Sequence, residues 1–574
     1  MKLTDYLVRF LHKQGVEHVF ELSGGMIAHI IDSLNVYGKI KVVTMHHEQA
    51  ASFAADGYAR VKGVPGVALA SSGPGATNLI TGIGSCYFDS VPAVFITGQV
   101  NQHEQRGDRE IRQLGFQETE VVKIAAPLCK AVFTVDKPEQ IHDILTEAFK
   151  VALSDRPGPV LIDIPMNLQR MQVEEQDIVL VKGEDKNVLP LDKDFWNKLK
   201  ADLKNANRPL ILAGRGVLVS KARDSFQKLV ELIEVPVVSS LLAVDVIPHD
   251  HPQRVGFIGA YGNRWANISF GNSDFLLVVG SRLDIRQTGA FTDTFKDKVI
   301  YHVDVEPGEI NNRIKNCTPV LHDVSQFLKE AIAEFSLDND KIDYSGWHSE
   351  INDLKAEWPD EREIGNDYGI NPNVFMHKLS AKSAKAGAYI ADVGNHQMWC
   401  AQSIDFIKDQ FFFTCGGMGA MGYALPAAIG AQIALDKPVV CVSGDGGFQL
   451  NIQEMQTIKR NNLPVKMVII NNQSLGMIRQ FQDSYFDGRH QSTIWGYDAP
   501  DFTKLALAYG ISAQTVDSEE GIDAALNAMW SDPDAPFLIQ VMINSKINAY
   551  PKIAFGKPIT EMEPFAKPLD MEGT

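Results

Sequence analysis

The stretch GDGGFQLNIQEMQTIKRNNLPVKMVIINN, Gly444 to Asn472, has an acid among glycines at one end and a pair of amides at the other. Asp445 follows the apolar run VVCVS, and Asn472 follows a second one, VKMVII. They offer a carboxylate oxygen and an amide oxygen, and the backbone carbonyl of Ser474 offers a third. Magnesium takes such hard oxygen ligands in octahedral geometry, usually one or two from protein with phosphate completing the shell. Gly444, Gly446 and Gly447 let a phosphate approach the backbone, and a helix starting there presents free N–H groups. The pattern predicts a diphosphate bridged to the protein through Mg2+. GDG by itself also reads as a polar turn closing a buried strand. The second apolar run ending in Asn-Asn is what favours a site.

A second candidate acid is Glu48 in KVVTMHHEQAASFAADGYAR. It is set among Ala50, Ala51, Ala54 and Ala55, small enough for close packing, which predicts a carboxylate in a tight, partly desolvated place. Alone, Glu48 reads more readily as a structural or helix-starting acid. His46-His47-Glu48 lacks the second His at zincin spacing, and no P-loop or nucleophile elbow appears. Gly417, Gly419 and Gly422 match G-x-G-x-x-G. The acid that a dinucleotide fingerprint needs at the end of the next strand is missing, because Asp436 precedes that strand. Close backbone approach to a different cofactor explains these glycines better.

The elements that position these groups are α/β. Between the two apolar runs, Ile452, Met455 and Ile458 recur at helical spacing, and Leu463-Pro464 closes a turn. This is strand, helix, strand with a right-handed crossover, and it sets Asp445 and Asn472 at the carboxyl ends of parallel strands. The 574 residues allow about three domains. Three blocks of strands alternating with helices span residues 1–170, 193–335 and 366–550, so three doubly wound domains with mostly parallel sheets are expected. The polar stretches VEEQDIVLVKGEDKNVLPLDKD and SLDNDKIDYSGWHSE separate them. Residues 551–574 show little periodicity and read as a mobile arm or lid. The net charge of −17 without a basic stripe argues against nucleic acid as a partner. No apolar run approaches the roughly 18 residues of a membrane span. The start, MKLTDYLVRFLHKQG, reads as an amphipathic helix and not a signal peptide. The six scattered cysteines, without a C-x-x-C pair, fit free thiols in a cytoplasmic protein.

Taken together, these residues resemble the thiamine diphosphate (ThDP) enzymes, and within them the acetohydroxyacid (acetolactate) synthase group. The similarity spans nearly the whole chain: HEQAA, ADGYAR, SGPGATN, GFQE, RPGPVLID, SRLDIR, GNHQMW, GMGAMGYALPAAIG and the GDG to NN segment. The resemblance implies a pyrimidine-binding first domain, a central FAD-type domain and a diphosphate-binding third domain. Glu48 looks like the glutamate that hydrogen-bonds N1′ of the aminopyrimidine and stabilises its imino tautomer. Met421 resembles the apolar wedge that bends the cofactor, with the Gly419 carbonyl accepting from its amine. Asn395 and His396 stand where the group contacts diphosphate, although Gln is usual at the first. Gly25, Asn78 and Met477 join the implied cofactor contacts, and Phe116 and Gln117 the catalytic pocket. In this group the cofactor lies between the first block of one subunit and the third block of another, so a homodimer or homotetramer is implied. Arg156, Gly214 to Gly216, Arg282, Asp284 and Arg286 resemble the flavin-binding synthases, which implies a structural FAD.

Two departures bear on the substrate. Met166 in IDIPMN stands where biosynthetic synthases usually carry Lys, and Phe481 in GMIRQFQ where they carry Trp; Ser23 also replaces a usual Pro. The missing cation weakens the case for a second 2-keto acid as acceptor. The C-terminal YPKIAFGKPITEMEP and the stretch RQLGFQE look closer to ThDP enzymes of polysaccharide and deoxysugar pathways. The reading is a carboligase that decarboxylates a 2-keto acid, with pyruvate as the expected donor, and transfers the acetyl unit to a carbonyl acceptor. The alternatives are acetyl transfer to a keto sugar and simple decarboxylation.

Overall fold

Runs such as GVALA, AVFITGQ and PVLIDIP are apolar along their length instead of alternating, as suits strands covered by helices on both faces. The computed structural model describes residues 1–184, 189–337, 342–365 and 369–569, and arranges such runs in three six-stranded sheets. The first contains β1 (His18–Glu21), β2 (Lys41–Thr44), β3 (Gly66–Ala70), β4 (Ala93–Gln99), β5 (Ala131–Thr134) and β6 (Pro159–Pro165). The central sheet contains β7 (Pro209–Ala213), β8 (Val237–Ser239), β9 (Arg254–Phe257), β10 (Phe275–Val279), β11 (Val299–Asp304) and β12 (Thr318–Leu321). The third contains β13 (Ala388–Ala391), β14 (Phe411–Thr414), β15 (Val439–Gly444), β16 (Val465–Asn471), β17 (Ser512–Val516) and β18 (Phe537–Met542).

All pairings within these three sheets are parallel. The outer sheets share one topology, β2-β1-β3-β4-β6-β5 in the first and β14-β13-β15-β16-β18-β17 in the third. The central order is β12-β11-β10-β7-β8-β9. In each sheet the strand order reverses next to the first strand, between β1 and β3, β7 and β10, and β13 and β15. Open α/β sheets bind ligands outside the carboxyl ends of the strands at such points. The three α/β domains expected from the sequence are present. The expected start of the third falls at residues 366–368, outside the described residues. Among the described residues no helix is long and apolar enough to cross a membrane.

The C-terminal tail differs from a free arm over its described part, 551–569. β19 (Lys552–Ile553) pairs antiparallel with β20 (Met562–Glu563), and Ile553 donates its N–H to the Ala260 carbonyl at 2.9 Å. Ile553, Ile559 and Met562 are buried in the central domain's core. The Arg264 guanidinium lies 5.1 Å from the Trp358 ring centre and 4.8 Å from that of Phe565, and pairs with Glu363. Three anchors at irregular spacing give no periodic signal, so the sequence reads as unstructured what tertiary packing holds.

The outer domains are joined by one close helix crossing. The helix Glu48–Lys62 lies against the helix Ala424–Leu435, both rich in alanine and glycine. A β-carbon on Gly57 would come 2.1 Å from the Ala427 carbonyl oxygen, and one on Gly430 would come 1.9 Å from that of Ala54. The small residues around Glu48 are therefore what lets the two backbones meet. Beside the crossing, Arg60 donates to Asp56 at 2.6 Å and to Asp89 at 2.8 Å. Tyr423 donates its hydroxyl to Asp56, and the N–H groups of Gly416 and Gly417 donate to Asp89 at 3.0 and 2.8 Å. The buried charges are thus paired and hydrogen-bonded across the two domains. Gly57→Ala places a methyl against backbone that cannot turn aside. It is expected to cost about 1–3 kcal/mol of stability by overpacking, read as a lower denaturant midpoint; an unchanged midpoint contradicts this crossing.

Candidate functional site

β15 and β16 run side by side, so the ends of the two apolar runs are neighbours as the sequence predicts. Between them Met455 and Ile458 are buried and Ile452 packs against the same core. Beyond β15, Asp445 opens a short helical turn, Asp445–Gln449. Its Oδ1 accepts from the Gly446 N–H at 3.0 Å and its Oδ2 from the Ser474 N–H at 3.2 Å. The same Ser474 N–H donates to Asn472 Oδ1 at 3.1 Å. One donor therefore gathers the two candidate oxygens. Burial pushes the Asp445 carboxyl up to about 6, a rise that a cation alongside it would reverse.

Across the point of strand reversal, β13 leads into Asn395 and His396 at the start of the helix Asn395–Ser403. Both side-chain atoms of Asn395, Oδ1 and Nδ2, are buried without a hydrogen-bond partner, as is the Ser474 hydroxyl. Leaving such groups unpaired costs about 1–3 kcal/mol each, a cost that a polar ligand would relieve. Burial depresses His396 to about 3, and its Nε2 accepts from the Gly444 N–H at 3.2 Å. The imidazole is neutral, so it contributes the position of Gly444 and no positive charge. A β-carbon on Gly447 would come 2.7 Å from Asp392 Oδ1, and one on Gly446 would come 2.5 Å from Leu475 and 3.3 Å from the Met421 methyl. Met421 therefore stands beside the GDG turn. Gly419 has φ +66° with open space where a side chain would go, a conformation that favours glycine.

Two residues here escaped the sequence reading. Asp392 accepts from the N–H groups of Val393 (2.8 Å), Gly422 (3.0 Å) and Ala424 (3.0 Å), fixing the loop that carries Met421 to the end of β13. It ends an apolar run, AYIA, as Asp445 does, and that signal could have found it. Gly476 is the other: its β-carbon would come 2.6 Å from Asn472 Nδ2 and 2.9 Å from Asn395 Nδ2. Met477, next to it, is half-buried.

The first domain holds a second cluster. Glu48 starts its helix, and His47 caps that helix by accepting the Gln49 N–H at 3.0 Å. Asn78 Nδ2 donates to Glu48 Oε2 at 2.9 Å, and a β-carbon on Gly75 would lie 3.2 Å from Oε1. Gln117, at φ +67°, crosses Gly73, whose own β-carbon would come 2.9 Å from that of Gln117. Gly25 opens a single turn at the end of β1 and faces open space. Phe116 is 79% exposed. Among the described residues no hydrogen bond joins Glu48 to the cluster around Asp445.

A cavity of about 650 Å³ lies at the carboxyl ends of the central strands and reaches Met477 and Gly416–Gly419 of the third domain. Arg156, Arg282, Asp284 and Arg286 line it. Arg156 pairs with Glu306 at 2.6 Å and with Glu309 at 3.1 Å, and Arg282 pairs with Glu309 at 3.1 Å. Asp284 caps the turn Ile285–Thr288. Gly214 is packed behind the wall, where a β-carbon would come 2.1 Å from the Gly280 carbonyl oxygen.

Three family models match this chain: thiamine pyrophosphate enzyme, N-terminal TPP binding domain, over residues 1–124; the central domain over 196–331; and the C-terminal TPP binding domain over 392–541. The probable acetolactate synthase large subunit of Methanococcus aeolicus is 35% identical over 563 residues, covering 95% of this chain and 92% of that protein. The acetolactate synthase isozyme 2 large subunit of Escherichia coli (strain K12) is 34% identical over 98% of this chain and 99% of its own length. The acetolactate synthase large subunit of Lactococcus lactis is 33% identical over 97% and 95%. With all three domains matched in order and similarity end to end, the chain belongs to the thiamine pyrophosphate-dependent enzymes of the acetolactate synthase family.

Proposed function

We propose that the protein is a ThDP- and Mg2+-dependent carboligase that decarboxylates a 2-keto acid, with pyruvate as donor, and passes the acetyl unit to a carbonyl acceptor. The observation that supports this most is the Ser474 N–H shared by Asp445 and Asn472, beside an Asn395 amide left without partners. Two oxygens are ready for a hard cation and an amide is ready for diphosphate. ThDP, when bound, supplies the carbanion chemistry, and the protein supplies binding, orientation and electrostatics. Asp445, the Asn472 amide oxygen and the Ser474 carbonyl hold the cation. Asn395 and the backbone at Gly446 take the diphosphate, and His396 keeps Gly444 in place. Glu48, steadied by Asn78, holds a proton against the pyrimidine ring nitrogen, and Gly75 leaves room for the ring. Met421 and Gly419 support the cofactor from the opposite domain, and Gln117 and Phe116 face the donor.

The two clusters sit in different domains without a hydrogen bond between them, and Phe116, Leu450 and Met418 beside them are 79%, 54% and 40% exposed. A homodimer or homotetramer with its sites between subunits would cover these side chains and unite the two halves. Relatives named as large subunits support an assembled enzyme. FAD fits the central cavity: it lies at the strand reversal between β7 and β10, where close-packed glycines admit a dinucleotide. Its role is structural, because decarboxylation and carboligation need no net redox step.

A keto sugar as acceptor is the second reading. Met166, half-buried at the end of β6, supplies no cation for a carboxylate. Phe481 lies among Tyr485 and Phe486, with ring centres 4.7 and 5.7 Å away. Purified protein with ThDP, Mg2+ and pyruvate is expected to release CO2 with stoichiometric acetolactate. Little acetolactate, with CO2 release rising when keto sugars are added, moves the acceptor to the sugar; no CO2 in either case overturns the function. Glu48→Gln is expected to keep the fold and ThDP binding while losing about 10²-fold or more in turnover. Near-normal turnover in that variant removes Glu48 from its role.

A further inference from the structure

The cavity's arginines differ in what they already hold. Arg156 and Arg282 are engaged with Glu306 and Glu309. Arg215, between the two wall glycines Gly214 and Gly216, is not engaged. It lines the same cavity, and its guanidinium makes no hydrogen bond and no ion pair within 4.0 Å among the described residues; its Nε is buried with no partner. The charges that act on it are Arg60, which repels it, and Asp245, Asp89 and Asp56, which attract it. Those acids have other partners: Asp245 accepts from Arg223 at 2.6 Å, and Asp56 and Asp89 accept from Arg60. Burial outweighs their pull and lowers Arg215 to about 10, so it remains charged at neutral pH. The buried Nε has no partner, the side chain as a whole is half-buried at the cavity wall, and a phosphate meets a guanidinium's planar fork.

The backbone around Arg215 is equally specific. A β-carbon on Gly216 would come 2.7 Å from the Gly280 Cα, and Gly280 turns at φ +61°. Arg215 thus projects from a turn pinned against the strand reversal, where a dinucleotide's diphosphate belongs in sheets of this order. We propose that Arg215 is the anion anchor of the central cavity and binds the diphosphate of the bound flavin dinucleotide. This rests on reading that cavity as the FAD site.

The test uses the purified full-length protein stripped of flavin, titrated with FAD and separately with riboflavin, which has the ring but no phosphate. Flavin fluorescence gives each Kd, and the unfolding midpoint of the flavin-free protein is measured alongside. Arg215→Gln is expected to weaken FAD by about tenfold or more, leaving riboflavin binding and the flavin-free midpoint unchanged. Equal FAD affinity in wild type and variant overturns the anchor while leaving the FAD site standing. Wild type that binds no FAD overturns the site itself. If Arg215 is instead an internal counter-ion to Asp89 and Asp245, Arg215→Gln destabilises the flavin-free protein. Arg215→Lys separates the two accounts even if the first variant does not fold, because it keeps the charge and loses the fork. The anchor requires a lower FAD-to-riboflavin affinity ratio in Arg215→Lys, and an unchanged ratio overturns it.

Discussion

The backbone contact between the helices Glu48–Lys62 and Ala424–Leu435 is the constraint on which the rest of the molecule depends. Gly57 and Gly430 leave no room for a side chain at the crossing, so the helices must meet at a fixed separation. The first helix begins with Glu48, and the second follows directly on the loop of Gly419, Met421 and Gly422. The buried Asp56–Arg60–Asp89 group and Tyr423 tie that loop to the first domain through Gly416 and Gly417. The outer domains, with identical strand order, are thereby locked so that each presents the carboxyl end of its own sheet. A group on one side and a group on the other are set in place by one joint.

Much of this architecture is legible in the chain. Buried parallel strands are apolar throughout, so VVCVS and VKMVII announce themselves, and the acid and amides that end them stand out against that background. Asp445, Asn472 and Ser474 gather at adjacent strand ends as their spacing requires. Other features are readable only in space. Asp392 also ends a strand, but its task is to hold two backbone N–H groups of a distant loop, those of Gly422 and Ala424, which no local pattern records. The alanines after Glu48 signal close packing, but what they pack against lies nearly four hundred residues away. The tail after Pro551 docks through isolated apolar residues. Arg215 is hidden by its neighbours, since the glycines on either side draw the reading to backbone shape.

The central domain serves the outer two without sharing their topology. Its cavity opens toward Gly416–Gly419 and Met477, the same loop and helix that border the Asp445 cluster. A ligand filling it would buttress both from behind, which would give the proposed flavin a structural purpose in chemistry that moves no electrons overall. The tail adds to that support, since Gln480 exchanges two hydrogen bonds with the Ala549 backbone, both at 3.0 Å, just before the chain crosses to the central domain. The helix bearing Met477 and Phe481 is thus tied at Gln480 to the segment that leads into the tail.

Whether each active centre draws Glu48 from one subunit and Asp445 from another is decided by co-expressing two differently tagged variants, Glu48→Gln and Asp445→Ala, and purifying the mixed assembly through both tags. Sites between subunits leave one intact centre of two in each mixed dimer, so about half of the wild-type turnover of pyruvate should return from two variants that are each nearly inactive. Mixed assemblies as inactive as either parent would place the whole site within a single chain and contradict this account.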